Sequence, residues 1–290
     1  MDRRKFLFGI GSAALGLQGW LTGRAGETGT VVENLRKLVV RYGFSVTNRS
    51  DTVVESARVT VCAPTSVCAN QRCASVRASG TARIEKDALG NQTALFSVER
   101  LAPRAVALLR IQAVVLSGRV SEPVVGRLDE FKMPDRWVQS GHPDIVAMAR
   151  KLGRDGPGEL PRRVYQWVAE HVRKERDVRS NLGAVYALQT GRGDCTESAV
   201  LFVALCRASG VPARVCSGFL VHDSAVLSPS RHHNWAEFHD GTGWRIADPN
   251  QGRFCEKEDR YVAVRIWSDD VHGLGLARSN NSVLSVRMLG

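Results

Sequence analysis

One cysteine stands where a thiol could be put to work. In the run Gly191-Arg-Gly-Asp-Cys195-Thr-Glu197 the two glycines permit a tight turn, and Asp194 is a good helix N-cap. Glu197 completes a capping-box spacing, with Asp in the place of Ser or Thr. Ala199, Phe202, Val203 and Cys206 then supply the buried face of a helix that Gly210 and Pro212 bring to an end. The pattern predicts Cys195 in the first turn of a buried helix. There the partial positive charge of the terminus favours a thiolate, and unpaired backbone N–H groups can donate to an oxyanion. Asp194 opposes this with a negative charge next door. A capped helix with a buried cysteine is also an ordinary structural feature, so chemistry at Cys195 requires partners elsewhere in the chain.

Two candidates lie downstream, in the segment His233-Asn-Trp235-Ala-Glu237-Phe-His239-Asp240-Gly241-Thr-Gly243-Trp244-Arg-Ile-Ala-Asp248. Asp240-Gly241 is a hairpin signal between two strand-like stretches. A two-residue turn puts His239 opposite Thr242 and His233 opposite Asp248, on one face of the sheet with Cβ atoms about 5 Å apart. A four-residue turn through Gly243 puts Asn250 opposite His233 and leaves Asp248 as a diagonal neighbour. Both registers set a carboxylate or carboxamide beside the imidazole. A carboxylate there holds the tautomer and stabilises the cation, as a general base requires. His232 and His239 read as surface residues, and Trp235 and Trp244 as wall or core.

Taken together, Gly-x-Gly-Asp-Cys195-x-x-x-Ala, Ala-Leu-Cys-Arg-Ala-Ser-Gly-Val-Pro-Ala-Arg214, His233-x-Trp235-x-Glu237 and Gly-Trp-Arg-Ile-Ala-Asp248-Pro resemble the transglutaminase-like superfamily. The resemblance covers about residues 143–265, with its motifs in the family's order. It implies a papain-like α+β core in which Cys195, His233 and Asp248 match the family's catalytic triad position by position. The expected activity is acyl transfer on amide bonds, as a peptidase or amidase or as a cross-linking transferase. The second donor to an oxyanion is not fixed by any motif; Tyr165, Gln166 and Trp167 lie on a plausible helix. A non-catalytic envelope binding or assembly protein with a vestigial site is the rival reading, and the filled triad positions argue against it.

The elements that must position these residues are legible in outline. Pro143 to Leu152 and a stretch opening at Pro161 carry apolar residues at helical spacing, and a shorter helix is expected near Leu182 to Leu188. Ala213 to Leu220 reads as a strand. Before them, Leu38–Thr47, Ala57–Cys62, Thr81–Lys86, Ala94–Val98 and Ala107–Leu116 are short Val-, Ile- and Leu-rich runs between turn signals. They predict an immunoglobulin-like β-sandwich over residues 30–120, a region that looks like the β domain preceding this core in some bacterial members. Residues 121–142 read as a connector and residues 143–290 as the catalytic domain, with further strands at Tyr261–Trp267 and Ser282–Met288. Residues 1–25 combine Arg3-Arg4, an apolar run and small residues near Ala25, the make-up of a twin-arginine-type export signal. Periplasmic or cell-envelope placement follows.

Composition narrows the rest. No stretch of the body is apolar enough for a polytopic membrane protein. Most of the formal net charge of +11 lies beyond residue 25, carried mainly by arginines spread along the chain. No basic run interleaved with aromatics marks a nucleic-acid surface, so no nucleic-acid partner is expected. The expected partner is a peptide or protein substrate, and the positive charge suits an anionic cell-wall or membrane surface. The seven cysteines leave one unpaired if the others pair, and Cys62, Cys68 and Cys73 are close enough in sequence to do so. No Cys-x-x-Cys or His-Glu-x-x-His spacing is present, so no cofactor or metal is expected.

Overall fold

The computed structural model describes residues 31–32, 36–121, 128–154, 156, 158–175, 181–268 and 275–290. The export-signal reading of residues 1–25 lies outside them. Among the described residues no helix is long and apolar enough to cross a membrane.

Residues 36–121 are built of strands joined by turns. β1 (Arg36–Asn48) buries Leu38, Val40, Tyr42, Phe44 and Val46, the alternation of a strand with one face in a core. It is followed by β2 (Val54–Ala63), the two-residue β3 (Val67–Cys68), β4 (Gln71–Ala78), β5 (Arg83–Lys86), β6 (Gln92–Leu101) and β7 (Val106–Ser117). β1, β7, β4 and β3 are neighbours in one antiparallel sheet, and β2, β6 and β5 in another. The inward residues of both, among them Val40, Val59, Phe96 and Ile111, form one apolar cluster.

The described part of the connector, residues 128–142, is packed down. Phe131 and Val138 are buried, and Arg207 bonds both the Met133 carbonyl and the Asp135 carboxylate, at 2.7 and 3.0 Å. Three helices follow: α1 (Pro143–Leu152), α2 (Leu160–His171) and α3 (Gly183–Thr190). All three pack on α4 (Cys195–Ala208), which is buried from Thr196 to Arg207 and so sits at the centre of the domain.

One face of a five-stranded antiparallel sheet covers α4. Its strands are β8 (Ala213–Leu220), β10 (His232–His239), β11 (Trp244–Asp248), β12 (Arg253–Phe254) and β13 (Tyr261–Ile266), in the order β12-β11-β10-β8-β13. Val215, Ala236, Phe238 and Ala247 meet the helices, whereas Cys216, Trp235, Ile246 and Ala263 meet Cys68, Ala69 and Phe131.

The two halves interlock. The short β9 (Ala225–Val226) runs parallel to β1. The tail strands β14 (Ala277–Ser279) and β15 (Leu284–Met288), grouped with the catalytic segment from sequence, pair with β2 and β1. β13 lies at the edge of the five-stranded sheet, and side-chain amides satisfy its backbone there. Gln71 both donates to the Ala263 carbonyl (2.9 Å) and accepts from its N–H (2.8 Å). Asn91 does the same for Ile266, at 3.0 and 2.6 Å.

Candidate active site

Cys195 is the first residue of α4, and its position is built by the turn before it. The Asp194 carboxylate accepts from Thr196 N at 2.6 Å, and Glu197 reaches back to Asp194 N at 3.2 Å, so the capping box read from sequence is closed. Burial raises the Glu197 carboxyl above its usual range, against the pull of the Leu182 and Asp194 N–H groups. A Cβ on Gly193 would lie 2.2 Å from Cβ of Glu197, so the turn can come this close only with glycine. Cys195 is half-buried, its backbone N–H is at a helix terminus, and its thiol is near enough to His233 to favour the charged ring.

His233 is buried in β10, with Nε2 2.7 Å from Oδ2 of Asp248 at the end of β11. That leaves Nδ1 as the ring nitrogen not engaged by Asp248. The hairpin between these strands takes the longer turn: His239 pairs with Trp244 and Glu237 with Ile246, so Asp248 is the diagonal neighbour of His233. The two-residue register is thereby corrected. Its cause is the Asp240 side chain, which accepts from Thr242 N, Thr242 Oγ1 and Gly243 N at 2.8, 2.7 and 3.0 Å and winds the loop through Gly243. His239 is also not a surface residue. It is buried edge-on to Trp244, and its Nδ1 accepts from Gly241 N.

Electrostatics favour a charged ring. Burial alone pushes His233 down, but hydrogen bonds and charge from Asp248 and Cys195 outweigh it and hold the imidazole up at about 9. The ring is stacked over Trp235, with centroids 6.5 Å apart. Asp248 is itself anchored: its Oδ2 also accepts from the Tyr261 hydroxyl at 2.8 Å and its Oδ1 from Gln251 N at 3.0 Å.

Cys195, His233 and Asp248 are thus brought together. Sequence reasoning missed Tyr261, which comes from a strand three positions from that of Asp248 in the sheet, and Asn234. The Asn234 amide donates to Thr196 Oγ1 at 2.8 Å and accepts from Ser217, which in turn accepts from the Trp267 indole. Asn234, Ser217, His232, Trp267 and Met288 line a cleft of about 410 Å³ whose lining leaves out Cys195, His233 and Asp248 and is tied to the start of α4 through the Asn234–Thr196 bond. Of the helix residues weighed for the oxyanion, Tyr165 packs on Phe254 and feels the charge of Asp248, Trp167 stacks on His171, and Gln166 is exposed. Among the described residues, Cys68, Cys216 and Glu237 have donor atoms all within 4.8 Å of one another, the set that could hold a metal ion.

Comparison with known proteins agrees with the motifs. Residues 146–249 match the transglutaminase-like superfamily. A crystal structure of a candidate cysteine protease from Cytophaga hutchinsonii superposes with a TM-score of 0.63 over 90% of this chain and 92% of that one, at 18% identity, which shows a shared fold. The periplasmic domain of TgpA from Pseudomonas aeruginosa is a more distant match, with a TM-score of 0.40 at 16% identity over 72% of this chain and 87% of that one. An uncharacterized protein of Mycobacterium leprae is 26% identical over 158 residues, 51% of this chain and 54% of its own length. The chain therefore spans about half the length of the curated relative it matches.

Proposed function

We infer, for a chain whose residues 146–249 form a transglutaminase-like core, that it is a thiol enzyme acting on amide bonds through Cys195, His233 and Asp248. Hydrolysis of a peptide or isopeptide bond in the cell envelope is the activity we propose. The observation that carries the reading is the 2.7 Å bond between His233 and Asp248 beside Cys195, the first residue of α4, with the charges of Asp248 and Cys195 both holding the imidazole up.

The chemistry follows from the geometry. His233 holds the proton that Cys195 gives up, and the thiolate attacks the carbonyl carbon of the substrate amide. The oxyanion forms beside the Cys195 N–H, which as the first helical N–H has no partner within the helix. His233 passes its proton to the departing amine nitrogen as the C–N bond breaks, leaving a thioester on Cys195. Water then gives a proton to His233 and attacks the thioester, and the C–S bond breaks to release the acid. Asp248 keeps Nε2 occupied throughout, so the same ring nitrogen faces the thiol in both half-reactions. The adjoining cleft, with its apolar wall of Trp267 and Met288 and the polar Ser217 and Asn234, suits a peptide substrate. Envelope placement rests on the Arg3-Arg4 leader pattern.

Labelling with an iodoacetamide probe from pH 5 to 9, read peptide by peptide, tests the site. Cys195 should react fastest of the cysteines at mildly acidic pH, and His233→Ala should remove that advantage. A Cys195 that reacts like any free thiol in both proteins sinks the proposal and favours a binding role. Peptide substrates, with and without an added primary amine, then separate hydrolysis from cross-linking, and Cys195→Ala should abolish either.

A further inference from the structure

We propose that Cys68 and Cys216 close to a disulfide that staples the N-terminal β region to the sheet carrying the candidate active site. Cys68 ends the two-residue strand β3, at the tip of the hairpin with β4. Cys216 lies in the middle of β8. They are 148 residues apart in sequence, yet their Sγ atoms are 3.9 Å apart. Both are buried, among Trp235, Ile246, Ala263 and Phe131. Closing the bond needs the sulfurs to approach by about 2 Å, within the reach of side-chain rotation.

The surroundings suit a neutral product. The Cys68 thiol now donates to Glu237 Oε1 at 2.8 Å. Arg214 grips the other carboxylate oxygen, with Nε and Nη2 at 2.8 and 2.7 Å from Oε2. Oxidation removes the Cys68 donor but leaves that buried ion pair intact. The remaining five cysteines have other surroundings: Cys62 accepts from Arg265, Cys73 bonds the Ser75 carbonyl, Cys195 lies near His233, and Cys206 and Cys255 pack in the cluster around α4. The pairing joins Cys68 to a distant strand and leaves Cys62 and Cys73, its neighbours in sequence, outside the bond.

The same sulfurs with Glu237 also make a donor set for a thiophilic metal ion. Two observations favour the disulfide. A structural zinc site takes four ligands, and this one offers three in a pocket closed to water. The Arg214 guanidinium also lies 4.0 Å from Cys68 Sγ and already holds the carboxylate.

The oxidant is a small-molecule or protein disulfide. One cysteine thiolate attacks it, forming a mixed disulfide and expelling a thiolate. The second cysteine, losing its proton, attacks the protein-side sulfur and expels the other thiolate. Two protein thiols are oxidised and one external disulfide is reduced to two thiols. Because both sulfurs are buried, the exchange takes place before the β region closes on the core, and the finished bond is shielded from reductant. Cys216 pairs across the sheet with Trp235, the residue stacked on His233, so the staple steadies the wall of the site.

The test uses the full chain with Cys195→Ala, which makes it independent of the catalytic proposal. The protein is refolded in a glutathione redox buffer, unfolded, alkylated and digested without reductant. The expected result is a peptide pair linked through Cys68 and Cys216, with Cys62 and Cys73 alkylated. The oxidised protein should melt about 10 °C above the reduced one, given the long loop closed. Cys216→Ala should remove that difference and Cys73→Ala should keep it. Recovery of Cys68 and Cys216 as alkylated thiols, or linked to other cysteines, overturns the proposal. So does one equivalent of zinc taken up when zinc is added, with both thiols released by a chelator.

Discussion

Tyr261 and His233 donate to one and the same oxygen, Oδ2 of Asp248, from 2.8 and 2.7 Å. The carboxylate is therefore held from behind by a strand on the far side of the sheet, and the imidazole inherits that orientation. Burial raises the Tyr261 phenol, so it remains a neutral donor across the working range. Outer hydrogen bonds of this kind are worth roughly 10-fold or more in activity where they fix a catalytic group. Tyr261→Phe should lower the turnover and acidic-pH alkylation of Cys195 by about 10-fold, and stability by about 1 kcal/mol. Asp248→Asn should cost activity far more, on the order of 1000-fold or greater, because it favours the wrong tautomer. Steady-state rates beside urea midpoints check this. Equal activity in wild type and Tyr261→Phe would show that the phenol merely fills space.

The pH dependence has a definite sign. His233 stands at about 9 in the fold, above the value near 6.5 for a free histidine. Its contribution to stability is fully present below about pH 6.5 and is lost as pH rises through 9. The amount is on the order of 3 kcal/mol if the whole shift is realised. Wild type should therefore lose more stability than His233→Ala between pH 6.5 and 9.5, in matched denaturant titrations. Activity should fall on the alkaline side with an apparent midpoint near 9, belonging to the Cys195–His233 pair jointly. Parallel stability curves for the two proteins would show that the ring carries no raised affinity for its proton.

Local signals made much of this legible in the sequence. The Asp194–Glu197 cap, the glycines around it, and the ordered motifs through Asp248 led to the three site residues before any pairing was known. Helix α1 runs over the residues expected, because His142, Pro143 and Asp144 mark its start. What depended on a side chain bending the backbone was harder. Asp240-Gly241 promised a two-residue turn, and only the triple acceptance by Asp240 shows why the loop is longer. What depended on distant pairing was not legible. Tyr261 reaches Asp248 through β13, which joins the sheet on the other side of β8. Strand β4 breaks its inward alternation at a bulge between Cys73 and Ser75 and leaves half of its residues exposed, so Gln71–Ala78 carries little strand signal of its own. The tail strands β14 and β15 complete sheets that begin more than 200 residues earlier.

Gly218 tests how closely β8 and β13 must approach. A Cβ there would lie 2.0 Å from the Val262 carbonyl oxygen and 2.8 Å from Cη2 of Trp235. Neither the backbone nor the fully buried indole can step aside cheaply. Gly218→Ala should therefore cost about 3 kcal/mol or more. By parting the strands it should also loosen Tyr261 from Asp248, so Cys195 alkylation at pH 6 should slow in whatever protein folds. Gly241→Ala has no neighbouring atom within reach and meets only the strain of a positive φ. It should cost less and leave alkylation unchanged. Equal losses at the two positions would mean that close packing at Gly218 is not the cause.

The edge of β13 gives the last prediction. An unpaired strand edge invites pairing with another chain, and here Gln71 and Asn91 occupy it with two hydrogen bonds each to one residue. Gln71 is fully buried and also bonds Thr65, so nothing replaces it when it is truncated. Gln71→Ala leaves the Ala263 N–H without its partner, at a cost of roughly 1–3 kcal/mol. Asn91→Ala should cost a similar amount at Ile266. The two contacts are separated along the strand and share no partner, so the double variant should lose about the sum. It should also aggregate on heating at concentrations where each single variant refolds, because only the Thr65 N–H on the Ala263 carbonyl and the Asn70 amide on the Tyr261 carbonyl then remain along the edge. The exposed Lys86→Ala, on the neighbouring hairpin, should stay within about 0.5 kcal/mol of wild type. Denaturant midpoints with light scattering during thermal ramps distinguish these outcomes. A double variant that loses stability yet never aggregates would show that the amides act as glue between the two halves and not as a guard on the strand.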